Sequence, residues 1–248
     1  MLNNNQRFKQ ILVVLATIGV IVVNYLAGAG RINETTPAEI SDRYPTLLTP
    51  AGYAFAIWSL IYLGLVAFSV YQAFPSQTGN PRFARIRTLH VANCAANCAW
   101  IYLWHYGYIA WSILAMLGIL ATLVLVNLSL RSTERAAETW TTRVPYNIYF
   151  GWITVAAILN VTVALVYLGV QFSTTITIIA AVLLIAVAVS LAILIRRNFD
   201  FPSYALTVAW ALVAIAVGQT AQTAIMVAAI VGALVSIAAA FFGKKKLD

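Results

Sequence analysis

The sequence predicts an all-α integral membrane protein of about eight transmembrane helices, and three observations lead there. Of 248 residues, 62% are hydrophobic and 9% charged, against about 25% charged in ordinary soluble domains. The apolar residues fall in runs of roughly 17 to 24, which close their backbone hydrogen bonds in lipid only as helices. The 15 Lys and Arg residues are also split by position. Thirteen lie in five clusters: Arg7/Lys9, Arg82/Arg85/Arg87, Arg131/Arg135/Arg143, Arg196/Arg197 and Lys244/Lys245/Lys246. The remaining two are Arg31 and Arg43, and two apolar runs separate each cluster from the next. Cytoplasmic loops collect Lys and Arg, so both termini are expected in the cytoplasm.

The expected spans are 10–29, 51–74, 86–104, 108–130, 144–168, 174–195, 203–219 and 222–242. The first follows Arg7 and Lys9 and ends at Ala27-Gly28-Ala29, which resembles a signal-peptidase site. Its length favours retention as a membrane anchor, since about 19 residues cross a bilayer core. Residues 30–50 form the longest connection. Within it Thr36, Pro37 and Glu39 stand at the N-cap, N1 and N3 positions of a short helix. Tyr44-Pro45 and Thr49-Pro50 then bend the chain into the second span, which makes this loop a candidate lid. Near the C-terminus, Gln219-Thr220-Ala221-Gln222-Thr223 could be a turn or the middle of one long helix. The charge rule selects the turn, because a merged helix would place Lys244–Lys246 on the wrong side.

Composition also excludes functions. The net charge of +8 sits at the ends of apolar runs, as orientation and anionic-lipid contact require, so nucleic acid is not an expected partner. No Lys within a span could form a retinal Schiff base, and no Asp or Glu within one could serve a carboxylate relay. Nucleophile, zinc-hydrolase and phosphate-loop patterns are missing, so no enzyme is expected. Cys94 and Cys98 lie i,i+4 without a completing ligand set, which reads as packing rather than a metal site.

Three spans are rich in Trp, Tyr and Asn. The second opens with Tyr53, Phe55, Trp58 and Tyr62; the last three stand at i, i+3, i+7, one helical face. In the third, His90, Asn93, Asn97, Trp100 and Trp104 are spaced 3, 4, 3 and 4 apart, within an arc of about 80° at 100° per residue. Amides are costly in hydrocarbon, so this stripe faces protein or a cavity. In the fifth, Tyr149, Trp152, Ala156, Asn160 and Tyr167 share a face.

These segments resemble the TspO/MBR family, the tryptophan-rich sensory proteins that include the mitochondrial translocator protein. Pro50, Phe55, Trp58, Tyr62 and Gly64 match its second helix, Asn97 and Trp100 its third. Pro145, Tyr146, Trp152 and Asn160 match its fifth loosely. The resemblance implies a five-helix domain over residues 1–170, and the remaining spans form an additional three-helix segment over 171–248. It also implies a pocket between helices 2, 3 and 5 for a flat hydrophobic ligand such as a porphyrin or haem-like tetrapyrrole, in a sensory or regulatory role. Tyr53, Phe55, Trp58, Tyr62, Asn93, Asn97, Trp100, Trp104, Tyr149, Trp152 and Asn160 are the candidate lining residues. The three extra helices depart from the family, and so does the missing basic residue after Tyr167, which leaves its sterol-recognition pattern incomplete.

Plainer readings stand beside these. Trp and Tyr near helix ends form interfacial belts, which suits Trp111, Trp140 and Tyr204. Asn93, Asn97 and Asn160 also suit interhelical hydrogen bonds. His105 suits either a loop residue at the interface or an axial haem ligand. A small-molecule transporter or carrier is the alternative function. The small residues of 224–240 suit close helix contact, within the chain or in a homodimer. A bacterial inner or plasma membrane is the expected location.

Overall fold

The computed structural model describes residues 2–131 and 135–242. Lys244–Lys246, which belong to the expected charge split, lie outside them. Eight long helices account for most of the described chain: α1 Leu2–Gly28, α2 Ile57–Ala73, α3 Pro81–His105, α4 Ile109–Ser129, α5 Val144–Tyr167, α6 Thr174–Phe199, α7 Pro202–Gly218 and α8 Thr223–Phe242. A short helix over Pro37–Arg43 stands where its capping sequence places it. Six of the long segments are long and apolar enough to cross a membrane. The two that fall short are α3, a 25-residue helix carrying Arg82, Arg85 and Arg87, and α7, which is apolar but has 17 residues. The chain is therefore an all-helical, multi-pass integral membrane protein in contact with lipid.

Several boundaries differ from expectation for local reasons. The second helix begins at Ile57 rather than 51, after a 3-10 turn over Gly52–Ala56. Ala51 is extended, and its N–H is spent on Ala214 O at 2.9 Å. Phe55 therefore leaves the helical face expected to carry it with Trp58 and Tyr62. The third helix begins at Pro81 rather than 86, because the Asn80 side chain accepts from Arg82 N and Phe83 N and Pro81 suits the first turn. The break between α7 and α8 falls at Gln219–Gln222, as the charge rule required.

The chain forms two compact units, Met1–Pro37 with Trp58–Tyr146, and Ala38–Ile57 with Asn147–Asp248. The expected boundary near residue 170 falls inside the second unit, between α5 and α6.

In the first unit α1 packs on α3, and α3 on α4. The α1 seam repeats at 3.5 residues: Gln10, Val13, Thr17, Val20, Asn24 and Ala27 at alternating spacings of 3 and 4. Its apolar positions are buried, and its polar positions each bond to a neighbouring helix. Gln10 Nε2 donates to Gln72 O at 2.7 Å, and Gln72 Nε2 donates to Gln10 O at 3.1 Å. Thr17 Oγ1 lies 2.8 Å from His90 Nε2, and Asn24 Nδ2 donates to Asn97 Oδ1 at 2.7 Å.

In the second unit α6, α7 and α8 pack on one another. Ala229, Gly232, Ala233, Ser236 and Ala240 of α8 are buried. A Cβ added at Gly232 would come within 3.0 Å of Val189 Cγ2 and 3.1 Å of Leu212 Cδ1. The small-residue stripe is thus used for close packing inside the chain. At one end Arg196 of α6 donates to Ala240 O at 2.9 Å and pairs with Asp200, whose left-handed φ of 58° terminates α6.

Candidate functional site

The second unit contains a cavity of about 1060 Å³. Its walls come from five places: residues 45–52 of the long connection, the end of α5 (Thr162, Leu165, Val166), the α5–α6 connection (residues 169–172), the start of α6 (Thr177, Ala181, Leu184) and the α7–α8 turn (Gln219, Gln222). The lining is mainly apolar, with threonine hydroxyls, glutamine amides and the Asp42 carboxylate at intervals.

The segment leading into α2 forms one wall because α7 holds it by backbone contacts. Trp210 Nε1 donates to Ala54 O at 3.2 Å, and Ala214 O accepts from Ala51 N. Gln219 Nε2 donates to Thr49 O at 2.9 Å and to Thr46 O at 3.2 Å. Tyr53 packs edge-on against Trp210, with ring centroids 5.5 Å apart. Gly218 permits this approach: a Cβ there would meet Thr49 O at 2.7 Å and Ala51 N at 2.8 Å. The connection expected to act as a lid is therefore fastened over residues 46–54, by a helix that the resemblance treated as an addition.

None of the eleven expected lining residues borders this cavity. Five of them belong to the second unit. Tyr53 is partly exposed beside Trp210, Phe55 meets Trp152 edge-on at 6.2 Å, and Tyr149, Trp152 and Asn160 are buried. Six belong to the first unit. Trp58 stacks on Tyr62 at 5.5 Å, and Trp100 stacks on Trp104 at 5.4 Å. Trp104 Nε1 also donates to Pro37 O at 3.2 Å. Asn93 Nδ2 donates to Thr122 Oγ1 of α4 at 2.8 Å, and Asn97 accepts from Asn24 of α1. Both asparagines bond between helices.

The partners of His90 and the burial of Tyr204 were not legible in the sequence. His90 is fully buried between Thr17 Oγ1 and Tyr146 Oη, each 2.8 Å from a ring nitrogen, with Phe68 packed against its ring. The polar residues of α1 at intervals of seven were the available signal, and they do not name a partner. Tyr204, expected in an interfacial belt, is instead buried against Phe150 and donates to Thr154 Oγ1 at 2.9 Å. Trp111 and Trp140 are exposed, as belt residues would be. Among the described residues no cluster of His, Cys, Asp and Glu could hold a metal ion. Cys94 is buried beside His90, with Sγ to Nε2 at 3.4 Å.

A sequence-family model described as TSPO-like protein matches residues 10–242. No curated protein and no solved structure matches the chain. The family match runs through all eight long helices, the last three included. The chain belongs to the TSPO-like protein family.

Proposed function

We propose that this TSPO-like membrane protein binds a flat hydrophobic molecule of tetrapyrrole size in the cavity of the second unit, in a sensory or regulatory role. The cavity volume of about 1060 Å³ carries the reading. Small-molecule sites commonly span roughly 300–1,000 Å³ and combine apolar walls with a few polar groups. Leu165, Val166 and Leu184 supply such walls, and Gln219, Gln222 and Thr177 supply hydrogen-bonding groups. The charge pattern supports eight passes with both termini in the cytoplasm, which opens the mouth beside residues 42–52 to the other side.

The test is quenching of intrinsic tryptophan fluorescence by protoporphyrin in the detergent-purified full chain. Thr177→Phe, which fills the cavity from α6, is expected to weaken binding at least about tenfold, the loss of roughly 1.4 kcal/mol of binding free energy. Wild-type affinity in that variant, with affinity lost in Trp58→Phe and Trp152→Phe, would move the site to the aromatic residues expected from the sequence.

A further inference from the structure

A second cavity, of about 540 Å³, lies in the first unit. Gln6 and Arg7 of α1 line it together with Thr78, Gly79 and Asn80 ahead of α3. Behind it sits Arg87, whose side chain is fully buried. Arg87 Nε donates to Gln72 Oε1 at 2.9 Å, and Nη2 donates to Gln77 O at 2.7 Å and Gln72 O at 3.2 Å. Nη1 donates to Gln6 Oε1 at 3.0 Å and to Thr78 O at 3.5 Å. Every one of these acceptors is a neutral oxygen.

A guanidinium keeps its proton in proteins, and a buried charge ordinarily requires an opposite one nearby. Among the described residues the carboxylate at this end of α3 is Glu138, and Arg82 takes it. Arg7 lines the cavity and is exposed, with no hydrogen bond or ion pair among the described residues. Arg7, Lys9, Arg82, Arg85 and Arg87 against Glu138 leave this end of α1 and α3 with a formal charge of +4 (five cations less one anion) among the described residues. The acceptance from Arg87 also orients Gln6. Its Oε1 must point to the guanidinium, which leaves its amide N–H₂ as a donor at the cavity wall. The α3 N-terminus contributes little, because the Asn80 side chain already caps it.

We propose that this cavity is a phosphate-oxyanion site, with Arg7 and the Gln6 amide as its direct contacts and Arg87 as the buried charge behind them. The oxyanion comes either from the headgroup of an anionic phospholipid or from free phosphate. Basic pockets between membrane helices suit such headgroups.

The thermal unfolding midpoint of the detergent-purified full chain reads the site. It is measured against sodium phosphate, phosphatidylglycerol and phosphatidylcholine, with chloride at matched ionic strength. The midpoint is expected to rise with a phosphate source and not with phosphatidylcholine or chloride. Arg7→Gln should raise the half-saturating concentration about tenfold, the scale of one charge-assisted hydrogen bond, while Arg31→Gln should leave it unchanged. A response to phosphatidylglycerol alone assigns a lipid headgroup, and a response that includes free phosphate assigns the oxyanion itself. No rise with either source, or equal effects of Arg7→Gln and Arg31→Gln, overturns the proposal.

Discussion

Replacing Gly218 by alanine tests how α7 holds the segment that walls the larger cavity. The added Cβ would sit 2.7 Å from Thr49 O, 2.8 Å from Ala51 N and 3.0 Å from Pro50 C. All three are backbone atoms, which cannot rotate aside. Alanine improves helix propensity by up to about 1 kcal/mol. Against that, overpacking costs about 1–3 kcal/mol. Three hydrogen bonds are also at risk, from Ala51 N to Ala214 O and from Gln219 to Thr46 O and Thr49 O, at roughly 0.5–1.5 kcal/mol each. The segment should therefore open more easily by about 1–3 kcal/mol, roughly a tenfold to hundredfold rise in amide exchange. Hydrogen exchange at Ala51 reports this directly, since its N–H is bonded to Ala214 O. Gly19→Ala is the control, because nothing lies within 4 Å of its added Cβ. Unchanged exchange at Ala51 in Gly218→Ala would refute the clamp.

Three further substitutions probe the first unit. Gly64→Ala would bring a Cβ within 2.6 Å of Pro145 Cβ, part of a ring that cannot yield. It should lower stability in detergent by about 1–3 kcal/mol, and a wild-type denaturation midpoint would count against this packing. Asn24→Val and Asn97→Val, singly and together, should show a coupling near 0.6 kcal/mol, typical of interhelical hydrogen bonds in membranes. Strictly additive losses would mean that the 2.7 Å contact between the two amides contributes nothing.

Local pattern sufficed for the helical membrane class, the turn at Gln219–Gln222 and the short helix at Pro37–Arg43. Each depends on neighbouring residues: the length of an apolar run, the placement of charge at its ends, or a capping residue and a proline. The family was legible too, in the spacing of Pro50, Trp58, Asn97 and Trp100. Periodicity likewise showed that Asn93 and Asn97 avoid lipid, but it did not show what they face. Only the tertiary structure decided that they bond to Thr122 and Asn24, that Tyr204 is buried on Thr154, and that Arg87 lies among neutral oxygens. It also decided that the larger cavity is built against α7, where Gln219 reaches Thr46 and Thr49 across more than 160 positions of sequence. A helical repeat records which face of a segment is buried. It carries no information about which distant segment covers that face, and cavities are made by that pairing.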